Sequence, residues 1–146
     1  MKKILLFVTL TLLVSCSFNQ TFSNRESDRD DAEKISKKFY WELLQGTNKD
    51  KIYELFSDKF FEVTNKDQLD KLISDSQQEY GIIKENNLEH WETLVVKGSN
   101  SKSEYLLTYN VTRESGTTKE TFSMLKEDEN IKIVGCLLYT SPSPRD

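Results

Sequence analysis

The spacing of the apolar residues changes at Gly81, and that change constrains the fold more than any other feature of the chain. Before it, apolar residues recur three and four apart. Ala32, Ile35, Phe39 and Leu43 form one such row, widened by Tyr40 and Leu44, and the spacing predicts a helix over 30–45 that stops at Gly46. Lys34, Lys37, Lys38 and Glu42 fill its other face. A shorter helix is expected over 48–56, with Ile52, Leu55 and Phe56 inward and Ser57-Asp58 as its break. Phe60-Phe61-Glu62-Val63 reads as a short extended piece. Thr64-Asn65-Lys66-Asp67 reads as a helix N-cap with an acidic residue at N3, close to a capping box. Leu69, Leu72, Ile73 and Tyr80 supply the stripe of that third helix.

After Gly81 the pattern alternates, as in a half-buried strand. A strand is expected over 82–97, interrupted around Asn86-Asn87, and Gly98-Ser99-Asn100-Ser101 forms a turn cluster. The clearest strand covers 104–113. Tyr105, Leu107, Tyr109 and Val111 face one way, and Thr108, Asn110 and Thr112 the other. Glu114-Ser115-Gly116-Thr117 makes a hairpin turn, and 119–126 follows as a strand with Phe122 and Met124 on one face. Residues 127–130 turn again, and a fourth strand begins over 131–135. Helices followed by an antiparallel meander indicate an α+β class, with the helices packed on one face of the sheet.

This order of elements resembles the nuclear transport factor 2-like fold. The resemblance is carried by residues 32–44, 55–60, Tyr80-Gly81 and 105–113, and covers about 30–135. It implies a curved sheet that wraps the long first helix and encloses a cone-shaped pocket, the cystatin-like cone. Folds of this kind host enzymes and non-enzymes alike, so the resemblance implies no single activity.

The N-terminus carries a different signal. Met1-Lys2-Lys3 precedes an apolar run from Ile4 to Val14, a basic region followed by a hydrophobic one of the length found in export signals. The run is shorter than the roughly 20 residues that span a bilayer as a helix. It ends in Leu13-Val14-Ser15-Cys16, which resembles the bacterial lipobox. That resemblance implies a diacylglycerol on the Cys16 sulfur, cleavage after Ser15 and acylation of the new amino group. Each buried acyl CH₂ contributes roughly 0.8 kcal/mol, and stable anchoring takes more than one chain, which such a protein has. Ser17 at the next position, rather than Asp, implies the outer membrane, facing the periplasm, in a Gram-negative cell. Residues 1–15 are thus expected to be a signal peptide, 16–29 a flexible polar tether and 30–135 one α+β domain.

Residues 136–146, Cys136-Leu137-Leu138-Tyr139-Thr140-Ser141-Pro142-Ser143-Pro144-Arg145-Asp146, match one reading frame of a transposase adapter used in sequencing libraries. Both prolines of the chain lie there. The tail is therefore expected to be foreign, the gene to continue beyond Gly135 and the last strand to be truncated, although Leu137-Leu138-Tyr139 is strand-prone enough to extend it. With Cys16 lipidated and Cys136 foreign, no structural disulfide is expected.

Charge excludes some functions. Of 20 basic and 24 acidic residues, Lys2, Lys3, Arg145 and Asp146 lie outside 16–135, which leaves a net charge of about −6. That disfavours nucleic acid and electrostatic attachment to anionic lipid, so the lipid does the anchoring. No P-loop, nucleophile elbow or dinucleotide glycine pattern appears. The single histidine, His90, lies between Glu89 and Glu92 without a nucleophile partner and reads as an exposed strand residue. The acidic groups near 28–33 and 127–129 read as a helix start and a turn, and no metal site, cofactor or catalytic residue is expected. Trp91, Tyr105, Tyr109 and Phe122 are the candidate pocket-lining residues, serving either a core or the wall of an apolar ligand site. The expected function is non-catalytic binding of a small apolar ligand or an envelope protein. The alternatives are a small pocket hydrolase or isomerase and an envelope-assembly or immunity-type interaction protein. An unexplained charged pair buried in the pocket would favour the enzyme, a filled interior the binder, and an apolar patch on the open sheet face the interaction protein.

Overall fold

The computed structural model describes residues 19–46 and 48–140. The signal segment 1–15, Cys16, Ser17 and residues 141–146 lie outside them. Four helices pack against one curved, five-stranded antiparallel sheet, so the class is α+β. The elements run β1 (Gln20–Ser23), α1 (Glu26–Gln45), α2 (Lys49–Tyr53), α3 (Asp58–Val63), α4 (Lys66–Tyr80), β2 (Ile83–Lys97), β3 (Lys102–Arg113), β4 (Gly116–Glu127) and β5 (Asn130–Thr140). Strand order in the sheet follows chain order.

The stretch 20–29, expected to be tether, belongs to the fold. Gln20 to Ser23 pair with Lys97 to Leu94, and Thr93 and Asn24 exchange hydrogen bonds of 2.9 Å. Phe22 is the apolar residue that makes this possible: the Arg25 guanidinium lies 4.0 Å from its ring centroid and the Lys97 ammonium 5.7 Å. Arg25 also grips Asp28 with two bonds, at 2.7 and 2.8 Å, which starts α1 one turn earlier than its apolar stripe indicates. At the other end Gly46 takes φ 63, the left-handed closure that glycine adopts without strain.

Residues 60–63 are helical, not extended. Aromatic and β-branched side chains favour strands, but Ser57 caps the segment by accepting from Lys59 N at 3.1 Å, and Phe56 and Phe60 stack at 4.6 Å one turn apart. The cap of α4 is Asn65 rather than Thr64, and Gln68, not an acidic residue, returns the bond at 2.9 Å. β2 is continuous through Asn86 and Asn87, which pair with Val111 and Asn110, and its irregularities fall on either side of them. β5 continues to Thr140, as the strand-prone residues allow, and Leu138 is buried.

Alternation places Tyr105, Leu107, Tyr109 and Val111 of β3 and Phe122 and Met124 of β4 on the inner face, all buried. Against them α1 presents Ala32, Phe39 and Tyr40. Phe39, Tyr40, Tyr109 and Phe122 meet edge to face at centroid distances of 5.2–6.0 Å, the favoured aromatic geometry. The β5 edge is covered in its middle by the α2–α3 connection: Ser57 N donates to Ile133 O at 2.9 Å, and Ile133 N to Leu55 O at 2.8 Å.

Candidate functional site

The four nominated aromatic residues do not gather round one opening. Tyr109 and Phe122 lie in the aromatic core under α1, no more than 1 % exposed. The Tyr109 hydroxyl meets Ser36 Oγ at 2.6 Å, and burial pushes its phenol up to about 12. Tyr105 sits at the core margin and lines clefts on both sides of it. Trp91 is half-buried on β2, with the Arg29 guanidinium 5.3 Å from its ring centroid. His90 points to solvent, its Nε2 2.9 Å from Glu92. Among the described residues no group of His, Cys, Asp and Glu is arranged to hold a metal, and no helix is long and apolar enough to cross a membrane.

Two features escaped the sequence reading. The first is a buried polar cluster at the end of the core. The inward row of β3 ends in Arg113 and that of β4 begins with Thr118 and Glu120. Glu120 is fully buried, and its Oε1 accepts from Arg113 Nη2 at 2.7 Å, Arg113 Nε at 3.3 Å and Thr118 Oγ1 at 3.1 Å. Its Oε2 accepts from the Tyr40 hydroxyl at 3.0 Å. Arg113 Nη1 donates to Gly81 O at 3.1 Å. Burial, with the Glu120 charge beside it, drives the Tyr40 phenol far above its ordinary range, so it donates at any physiological pH. Every oxygen of the carboxylate is engaged, and the cluster ties α1, β3, β4 and the α4–β2 corner together. Strict alternation from Tyr105 to Arg113 and from Met124 back to Thr118 is the signal that finds it.

The second is a cleft of about 520 Å³ between α1, α2 and α4. Leu43, Ile52 and Ile73 give it an apolar lining. Asn48, which caps α2 by accepting from Asp50 N, Ser74 and Gln77 add neutral polar groups. Asp70 on one wall is satisfied: it accepts from Lys49 Nζ at 2.5 Å and from the Tyr53 hydroxyl at 2.8 Å. Burial opposes its charge, but those two bonds prevail and hold Asp70 below the usual carboxylate range. The Tyr53 phenol is pushed up to about 12, first by desolvation and then by the bond to Asp70.

Glu42 on the opposite wall is different. The helical pattern assigned it to the solvent face, yet it is only 3 % exposed, on the side of α1 that faces the cleft shared with α2 and α4. Its Oε2 is buried and no donor among the described residues reaches it. An unpartnered buried acceptor costs about 1–3 kcal/mol, more when charged. A cleft with an apolar strip and polar groups around it has the general form of a small-molecule site, and Glu42 is part of its wall although its unmet Oε2 is sealed from solvent. A second cleft, of about 540 Å³, lies on the sheet face turned away from the helices and includes Leu94, Leu106, Leu125 and Val134.

No protein-family model matches the chain, and no curated protein or solved structure is significantly similar to it.

Proposed function

We propose that the chain is a lipid-anchored cell-envelope protein, held in the outer membrane through Cys16, that binds a small ligand without chemical turnover. The anchor rests on the lipobox-like Leu13-Val14-Ser15-Cys16. Binding rests on the cleft between α1, α2 and α4, whose wall includes Glu42 with its buried, unpartnered Oε2. The charged pair that would mark an enzyme is present, as Arg113 and Glu120, but hydrogen bonds saturate it inside a filled core. The nuclear transport factor 2-like cone, on this reading, is a packed interior, and the ligand site has moved outside it.

The ligand that complements the cleft has an apolar body for Leu43, Ile52 and Ile73 and one hydrogen-bond donor, preferably cationic, toward which the Glu42 carboxylate turns its buried Oε2. Titration with n-butylammonium, with butyrate as control, tests this by chemical shifts of the Ile52 and Ile73 methyls. The ammonium shifts both in the wild type and at least tenfold less in Glu42→Gln; equal shifts with butyrate refute the assignment. A second reading, docking of an envelope protein, is favoured by Leu94, Leu106, Leu125 and Val134 on the open sheet face.

A further inference from the structure

We infer that the β2–β3 turn, residues 98–101, rests on the phospholipid headgroups of the membrane that holds Cys16; this builds on the lipid-anchor reading above. The first described residue already belongs to the fold. Asn19 Oδ1 accepts from Ser99 N at 3.1 Å, and Gln20 is paired with Lys97. Three residue steps separate Cys16 from Asn19. A fully extended chain spans at most about 3.3–3.6 Å per residue, so the lipidated residue lies within roughly 11 Å of Asn19, whose side chain is bonded to the β2–β3 turn. A domain of about 100 residues has a radius of gyration of about 13 Å. A tether shorter than the domain's own radius cannot hold it clear of the bilayer, and the part of the domain nearest the attachment makes the contact.

The chemistry of that end fits a headgroup layer. Ser99, Asn100 and Ser101 at the tip are exposed and uncharged. Lys97 and Lys102 flank them. Lys97 makes no ion pair among the described residues, and its ammonium lies over the Phe22 ring, within reach of lipid phosphate. Lys102 is held only by an exposed bond to Glu104 at 3.2 Å, a kind of pair worth little. The acidic β4–β5 turn, with Glu127, Asp128 and Glu129, is at the same end of the sheet. Three strand spacings of about 4.8 Å separate it from β1, roughly 14 Å, so a tilt toward the β1 edge keeps it off a phosphate surface.

The test uses the full lipidated chain in phosphatidylethanolamine–phosphatidylglycerol vesicles containing a headgroup spin-labelled lipid. A fluorophore is placed at Asn100→Cys or, at the opposite end of the sheet, at Ser115→Cys, each with Cys136→Ser so that one thiol reacts. Quenching at position 100 is expected to exceed that at 115 at least threefold. Twelve Gly/Ser residues inserted between Phe18 and Asn19 should bring it down to the level at 115. Equal quenching at the two positions, or no change on insertion, overturns the inference while mass spectrometry still finds acylated Cys16. An unacylated Cys16 overturns the anchor reading and this inference with it.

Discussion

Replacing Arg113 by Met should destabilise the domain far more than an ordinary loss of one hydrogen-bonding side chain. Arg113 and Glu120 are 2 % and 0 % exposed at their side chains. The substitution removes both Arg donors to Glu120 and the donor to Gly81 O, and leaves a buried carboxylate with only Thr118 and Tyr40. Breaking such a pair from one side costs about 3–5 kcal/mol. For a domain of this size, each kcal/mol moves the melting temperature by about 3–5 °C, so Arg113→Met should melt about 9–25 °C lower. Removing both charges is a different perturbation. Arg113→Met with Glu120→Leu forfeits the acceptor of Tyr40 and Thr118, about 1 kcal/mol each, but no longer buries a lone charge. The double variant should recover at least half of the loss. Urea unfolding of the Cys16→Ala chain, followed by circular dichroism, measures all three. A single-variant cost under about 1 kcal/mol, or a double variant no better than the single, refutes the view that the pair is desolvated and saturated.

Glu42→Gln should stabilise the domain by about 1–2 kcal/mol in the same assay, since it replaces a carboxyl group whose buried Oε2 has no donor, while weakening binding of n-butylammonium. Stability should fall as pH rises from 10 to 12. Tyr109 and Tyr53 stay protonated in the folded chain to about 12, whereas their unfolded phenols ionise near 10, so the unfolded state binds fewer protons in that window. A midpoint for urea unfolding that is flat from pH 10 to 12 refutes this. Sequencing the source gene across codon 135 should show the reading frame continuing with residues other than Cys136-Leu137-Leu138; a stop after Asp146 would make Cys136 a native thiol.

The legible parts of the fold were those written in periodicity. The α1 stripe, the inward rows of β3 and β4 and the change of period at Gly81 follow from side-chain direction alone. Local chemistry competed with pattern elsewhere. Residues 60–63 look like a strand until Ser57 supplies a cap and Phe56 a partner one turn away. Residues 20–23 look like a tether because only Phe22 is large and apolar, and its partners, Arg25 and Lys97, are charged. The candidate site was least legible. Glu42 sits on the polar side of α1 by helical spacing and is buried in the tertiary structure, where it forms a wall of the cleft between α1, α2 and α4, a fact that no local window contains. Arg113 and Glu120 were readable as inward by alternation, but their charge argued for solvent until the register put them side by side.

Cell fractionation of the wild type and of Cys16→Ala, with labelled palmitate in the medium, tests the central reading most directly. Wild type is expected to carry label and sediment with membranes, and Cys16→Ala to carry none and be released to the soluble fraction. Unlabelled wild type, or Cys16→Ala retained on membranes at the wild-type level, would contradict it.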